Sequence, residues 1–88
     1  MLARREKKMT IAHDILSNSL DGTAALERSL ALPQHEREEM QDWDNERTWV
    51  RFVDGSVLCA EGPMADERSA DEFDEVAEAY ATKRLGRE

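Results

Sequence analysis

Carboxylates are the side chains of this 88-residue chain whose number and spacing could do chemistry. Residues 36–46 hold Glu36, Glu38, Glu39, Asp42, Asp44 and Glu46 against Arg37, and residues 61–78 hold eight carboxylates against Arg68. Such groups can bind a metal, act in acid–base pairs, or present charge to a partner. The run Asp42-x-Asp44-x-Glu46 follows the first alternating positions of a calcium loop, but Arg47 stands where the sharp turn needs Gly, and no Glu occupies the twelfth position. His13, His35 and Cys59 lack the ligand spacings of zinc sites. No metal and no cofactor is expected.

Catalysis has no better footing. Ser56 and Ser69 have no nucleophile-elbow context, and there is no Gly-rich phosphate loop or Walker lysine. Cys59 falls in an expected strand, where a buried, unreactive thiol is the default. A core this small offers little burial with which to move a carboxylate into the range of a general acid. The chain is read as a binding protein and not as an enzyme.

Binding through charge remains. On the wheel of a helix opening at Ser69, Asp71, Glu75 and Glu78 point away from the apolar stripe and Asp74 lies on its flank. With Glu38, Glu39 and Asp42 from the first cluster, these are the candidate partner-binding residues. The partner expected is a protein with a basic nucleic-acid-binding surface, which the acidic groups would block by imitating nucleic-acid charge. Carboxylates one helical turn apart are ~5.4 Å apart, whereas duplex DNA carries a charge every ~1.7 Å, so one helix face is too sparse and the two clusters must combine. The alternatives are an acidic surface that serves solubility alone, and a structural or regulatory homodimer without mimicry.

The elements that must position these groups follow from periodicity and punctuation. Met9, Ala12, Ile15, Leu16 and Leu20 recur at helical spacing, which predicts a first helix within Leu2 to Leu20, closed by Asp21-Gly22. Thr23 suits the N-cap of a second helix from Ala24 to Leu32, with Leu26, Leu30 and Ala31 on one side. Pro33 is expected to open a third, running to Asp42 or Trp43 with Met40 and Trp43 facing inward. Asp54-Gly55 between Thr48–Val53 and Ser56–Ala60 predicts a two-stranded antiparallel hairpin with a type I′ turn. Trp49, Arg51 and Val53 would share one face and Thr48, Val50 and Phe52 the other, so both faces carry apolar groups, as in a sheet between helices.

Residues 61–68, with Gly62-Pro63, read as a loop. Ser69-Ala-Asp-Glu72 then forms a capping box for the last helix, which ends near Leu85 with Phe73, Val76, Ala77 and Tyr80 inward and Lys83 and Arg84 at its negative pole. The fold class expected is α+β: three or four helices with a two-stranded hairpin. A hairpin alone is marginal in water, so it must pack on the helices or pair with another chain.

Twenty acidic residues face twelve basic ones for a net charge of −8, which disfavours direct binding of nucleic acid. Residues 1–8 carry +3, and eight basic against nineteen acidic residues leave −11 over residues 9–88. The first eight residues are therefore read as a basic arm or an alternative-start extension, and 9–88 as a single acidic domain. One cysteine excludes an intrachain disulfide and fits a reducing cytoplasm. No segment reaches the ~20 apolar residues of a membrane span.

The stretch from Trp43-Asp44 to Gly62, with Phe52, Asp54, Ser56, Val57 and Leu58 in its hairpin and an Asp/Glu-rich helix after it, resembles the hairpin and acidic helix of small anti-CRISPR proteins that inhibit type I-F surveillance complexes. That resemblance implies a phage-type inhibitor presenting carboxylates to a positively charged nucleic-acid-binding surface.

Overall fold

The strand-forming run Arg47–Phe52 pairs with Val57–Glu61, as the Asp54-Gly55 signal requires, but the sheet does not stop at two strands. In the computed structural model, which describes residues 9–86, the order is α1 (Ile11–Ser17), α2 (Gly22–Leu30), a 3₁₀ turn (Gln34–Glu36), β1 (Arg37–Asp42), β2 (Arg47–Phe52), β3 (Val57–Glu61), β4 (Met64–Arg68) and α3 (Ala70–Gly86). The protein is α+β, with three α-helices and one antiparallel sheet of order β1-β2-β3-β4. Residues 1–8, read above as a basic arm, and the side chains of Lys83 and Arg84 lie outside the described residues.

The third helix expected from Pro33 is instead a short 3₁₀ turn followed by β1. Arg, Glu, Met and Gln are good helix formers, but propensity of this kind is overridden when pairing with a buried strand is available. Glu38 stands opposite Arg51, Met40 opposite Trp49, and Gln41 opposite Thr48, whose hydroxyl donates to the Gln41 Oε1 at 2.7 Å. Trp43 consequently falls in the β1–β2 turn and is 71% exposed, not inward. The segment read as a loop contains β4: Glu61 pairs with Met64 across Gly62-Pro63, and Gly62 at φ 57° supplies the positive first position of a two-residue hairpin turn.

The β2–β3 turn also differs from expectation. Among the described residues of that turn only Gly55 has positive φ (89°), and its N–H donates to the Phe52 carbonyl at 2.9 Å. This is the three-residue hairpin loop, a turn followed by a left-handed glycine, and not type I′. The strands β1 and β4 flank the hairpin, so its marginal stability is relieved within the chain.

The Ser69 cap expected for α3 is present, and the cap of α2 differs from the one expected. The α1 helix starts at the Thr10 cap, leaving Met9 and the fully exposed Leu20 outside the apolar stripe. Asp21, not Thr23, caps α2 by accepting the Ala24 N–H at 3.0 Å. Gly22 is buried because the helix begins against the β3–β4 turn: its N–H donates to the Pro63 carbonyl at 2.7 Å, and a Cβ there would lie 2.5 Å from the Met64 backbone. At α3 the Ser69 hydroxyl accepts the Glu72 N–H at 3.1 Å, while the Glu72 carboxylate accepts from Arg68.

The sheet is sandwiched. Val50, Phe52, Leu58 and Ala60 meet Ala12 and Ala25 of α1 and α2, with Ile15, Leu16, Leu26 and Leu30 packed around them. On the opposite face Trp49, Val57 and Cys59 meet Phe73 of α3, joined by Met40, Ala70 and Val76. Trp49 and Phe73 pack edge to face, centroids 6.4 Å apart.

Candidate interaction surface

Phe73, Val76 and Ala70 turn one side of α3 onto the sheet, and helical periodicity then turns Asp71, Glu75 and Glu78 away from it. All three are exposed, and none forms an ion pair among the described residues. Residues three and four apart on a helix place neighbouring Cβ atoms ~5–6 Å apart, so they form a continuous negative row.

The other candidate carboxylates have different surroundings. Asp74, on the flank, accepts from Arg51 Nη1 at 2.9 Å, and Glu38 of β1 accepts from Arg51 Nη2 at 2.7 Å. Arg51 therefore ties the two acidic clusters together, with its guanidinium carbon 4.5 Å from the Phe73 ring centre. Its pKa is raised, first by the hydrogen bond to Glu38. Glu39 pairs with Val50 and so lies on the opposite face of the sheet from α3, where it meets Arg37 at 3.3 Å.

Asp42 is only 2% exposed, so the surface role expected for it is replaced by a structural one. Its Oδ1 accepts the Tyr80 hydroxyl at 2.7 Å, and its Oδ2 accepts Asn45 Nδ2 at 3.1 Å. Burial pushes this carboxyl up, but the hydrogen bonds from Tyr80 and Asn45 outweigh it and leave the pKa below the ordinary value. The Tyr80 oxygen in turn accepts the Asp44 N–H at 2.8 Å, fastening the β1–β2 turn to α3. Desolvation, helped by the Asp42 carboxylate, raises the phenol. Sequence reasoning placed Tyr80 correctly inward but had no signal for Asp42, since the only cue is cross-strand register.

Arginine pairing is pervasive on the α3 face. Arg68 spans Asp66 at 2.9 Å and Glu72 at 3.3 Å, and its guanidinium carbon lies 5.7 Å from the Trp49 ring centre; Arg47 meets Glu61 at 3.3 Å. Arg47, Arg51 and Arg68 are thus turned toward the protein's own carboxylates, and among the described side chains of α3 the charge left facing outward is negative. Cys59 is buried, and burial raises its thiol above the ordinary value, which keeps it protonated at neutral pH. Among the described residues no group of three or more His, Cys, Asp or Glu side chains is placed to hold a metal, and no helix is long and apolar enough to cross a membrane.

Fold and surface together define a small α+β protein with a charged helix laid over one sheet face. No family model matches the chain, and neither a curated protein nor a solved structure matches it.

Proposed function

We propose that the protein is an acidic protein-binding module whose α3 row, Asp71, Glu75 and Glu78 with Asp74 and Glu38 beside it, docks on the basic nucleic-acid-binding surface of another protein. The observation that supports this is the division of labour among charges: Arg51 and Arg68 are held in internal pairs, while the row on the outer side of α3 is exposed and forms no ion pair among the described residues. A solvated surface made only for solubility would intersperse both signs. A one-sign row steers toward and orients against an opposite potential.

The row is sparser than duplex phosphate, so the proposal is local occlusion of a basic groove and not the tracing of a duplex. The sequence resemblance to anti-CRISPR inhibitors of type I-F complexes points to the same mode of action. Competition is the test. On a basic nucleic-acid-binding protein that retains the chain, rising concentrations of DNA or RNA should displace it, and its apparent affinity should fall in proportion to occupancy by nucleic acid. Simultaneous binding of both would rule out occlusion.

A further inference from the structure

We propose that the outer edge of β1 accepts an extended basic segment of a partner as an added strand, bonded to the main chain of Glu39 and Gln41. β1 ends the sheet, so no strand of the described residues lies beyond it. Which of its main-chain groups face outward follows from the neighbouring hairpin. The Phe52 N–H donates to the Ser56 carbonyl at 2.9 Å, so Phe52, Val50 and Thr48 direct their main chain to β3, and by antiparallel alternation Arg51, Trp49 and Arg47 direct theirs to β1. Their partners Glu38, Met40 and Asp42 are bonded inward, and Arg37, Glu39 and Gln41 turn outward. The Arg37 N–H is taken by the Gln34 carbonyl. Glu39 and Gln41, both exposed, aim their N–H and C=O groups along the sheet plane, the arrangement that takes up an extended chain. The opposite edge differs, because β4 lies against α1 and α2: the Thr10 hydroxyl donates to Glu67, the Gly22 N–H donates to the Pro63 carbonyl, and Ala65 packs on the core beneath these helices.

The side chains of β1 select the sign of the occupant. Glu38 and Glu39 stand out beyond the arginines they bind, at 59% exposure over 30% for Arg51 and 45% over 14% for Arg37. Among the described residues each commits only its Oε1 to that arginine, which leaves Oε2 for an incoming cation. A second copy fits poorly. A two-fold register centred on Glu39 sets that carboxylate against its own copy, and one centred on Met40 sets Glu38 against Asp42; like charges directly opposed destabilise a strand pair. Such charge guards the edge against self-association but not against a strand of opposite sign. The basic sign of the occupant rests on the function proposed above, and Arg51, bound to both Glu38 and Asp74, places this edge beside α3.

The test follows amide hydrogen exchange of the full chain by NMR with an alternating Lys-Thr octapeptide, its Glu-Thr counterpart, and the Lys-Thr peptide with every amide N-methylated, which keeps charge but has no main-chain donors. In the free protein the Glu39 and Gln41 amides should exchange faster than those of Glu38, Met40 and Asp42. The Lys-Thr peptide should slow Glu39 and Gln41 selectively, by about tenfold at saturation, the scale of one added hydrogen bond, and the other two peptides should not. Gln41→Pro deletes one outward N–H and leaves the ladder to β2 in place; it should bind the Lys-Thr peptide about tenfold more weakly, and the methylated peptide makes the same test without touching the fold. The Asp71→Asn, Glu75→Gln, Glu78→Gln variant should bind the peptide more weakly yet show the same slowing. Equal binding of methylated and unmodified peptides, still weakened by the neutralised row, would overturn the strand edge and leave the row standing. Undiminished binding by the neutralised row with the slowing intact would do the reverse. Equal slowing by the Glu-Thr peptide would overturn the basic occupant, and protection of Glu39 and Gln41 that grows with protein concentration alone would assign the edge to a second copy instead.

Discussion

On one face of the sheet Val50, Phe52, Leu58 and Ala60 meet α1 and α2 through an apolar layer, whereas on the other Trp49, Val57 and Cys59 meet α3 through Phe73 and Val76, with arginines and Tyr80 completing the contact at the margins. The first face is closed mainly by area, which is non-directional and is not weakened by charge screening. The second is closed by a few aromatic contacts and by charge-assisted hydrogen bonds, which fix orientation more than they add stability. A helix attached that way needs only a narrow apolar stripe, so the rest of its circumference is available for carboxylates. The acidic row accordingly sits on α3: α1 and α2 pack on the larger core, while α3 is held by a narrow apolar stripe and keeps its outer side exposed.

The comparison can be broken most forcefully at Phe73. Phe73→Ala should cost about 3–5 kcal/mol in denaturant unfolding, the usual loss for a buried aromatic, and amide hydrogen exchange should show α3 losing protection before α1 and α2. Equal loss of protection on both faces would mean that the sheet has one cooperative core and not two separable ones.

Gly22→Ala tests the area-closed face. Its Cβ would lie 2.5 Å from the Met64 carbonyl carbon and oxygen, with backbone on both sides. Overpacking of this kind costs about 1–3 kcal/mol, and thermal unfolding should show it; an unchanged midpoint would mean that α2 is free to lift off the β3–β4 turn.

Acid gives the smallest effect, and each face has a carboxylate tie whose pKa is lowered. Asp54 accepts the Ile11 N–H at 2.9 Å and the Ser56 hydroxyl at 2.6 Å, holding α1, as Asp42 holds Tyr80 of α3. Burial pushes both carboxyls up, but their hydrogen bonds leave both below the ordinary value of 3.8. The unfolded chain therefore binds more protons between the lowered pKa and 3.8, so these ties are fully formed at neutral pH and lost as pH falls below about 4. Asp54→Asn should flatten the acid limb of the stability curve for α1 and Asp42→Asn that for α3, read by hydrogen exchange at pH 3 and pH 6. Identical pH slopes in both variants and the wild type would show that neither tie contributes.

Much of this was legible in the sequence where local chemistry decides. The hairpin pair around Asp54-Gly55, the Ser69 cap and the inward stripe of α3 all follow from signals within a few residues. What escaped was decided by distant pairing. Arg37–Asp42 has the composition of a helix, and only Arg51, Trp49 and Thr48 across the ladder make it a strand. Met64–Arg68 lacks β-branched residues, and it pairs because Gly62-Pro63 turns the chain back along β3. For the surface, the row Asp71, Glu75 and Glu78 could be read from the helical wheel. The burial of Asp42, the placement of Glu39 on the far face and the exposure of Trp43 could not, since each depends on the register of β1.

The central claim, that the outer side of α3 is the interacting surface, is tested most directly by titrating the wild type and the Asp71→Asn, Glu75→Gln, Glu78→Gln variant against a basic nucleic-acid-binding partner at low and at physiological salt. The substitutions keep side-chain size and relieve self-repulsion, so folding should be intact. The wild type should bind more weakly as salt rises, because exposed charges are screened over about 8 Å at physiological ionic strength, and the variant should bind weakly at both salts with little further change. Equal affinity of the two proteins, without dependence on salt, would contradict the claim.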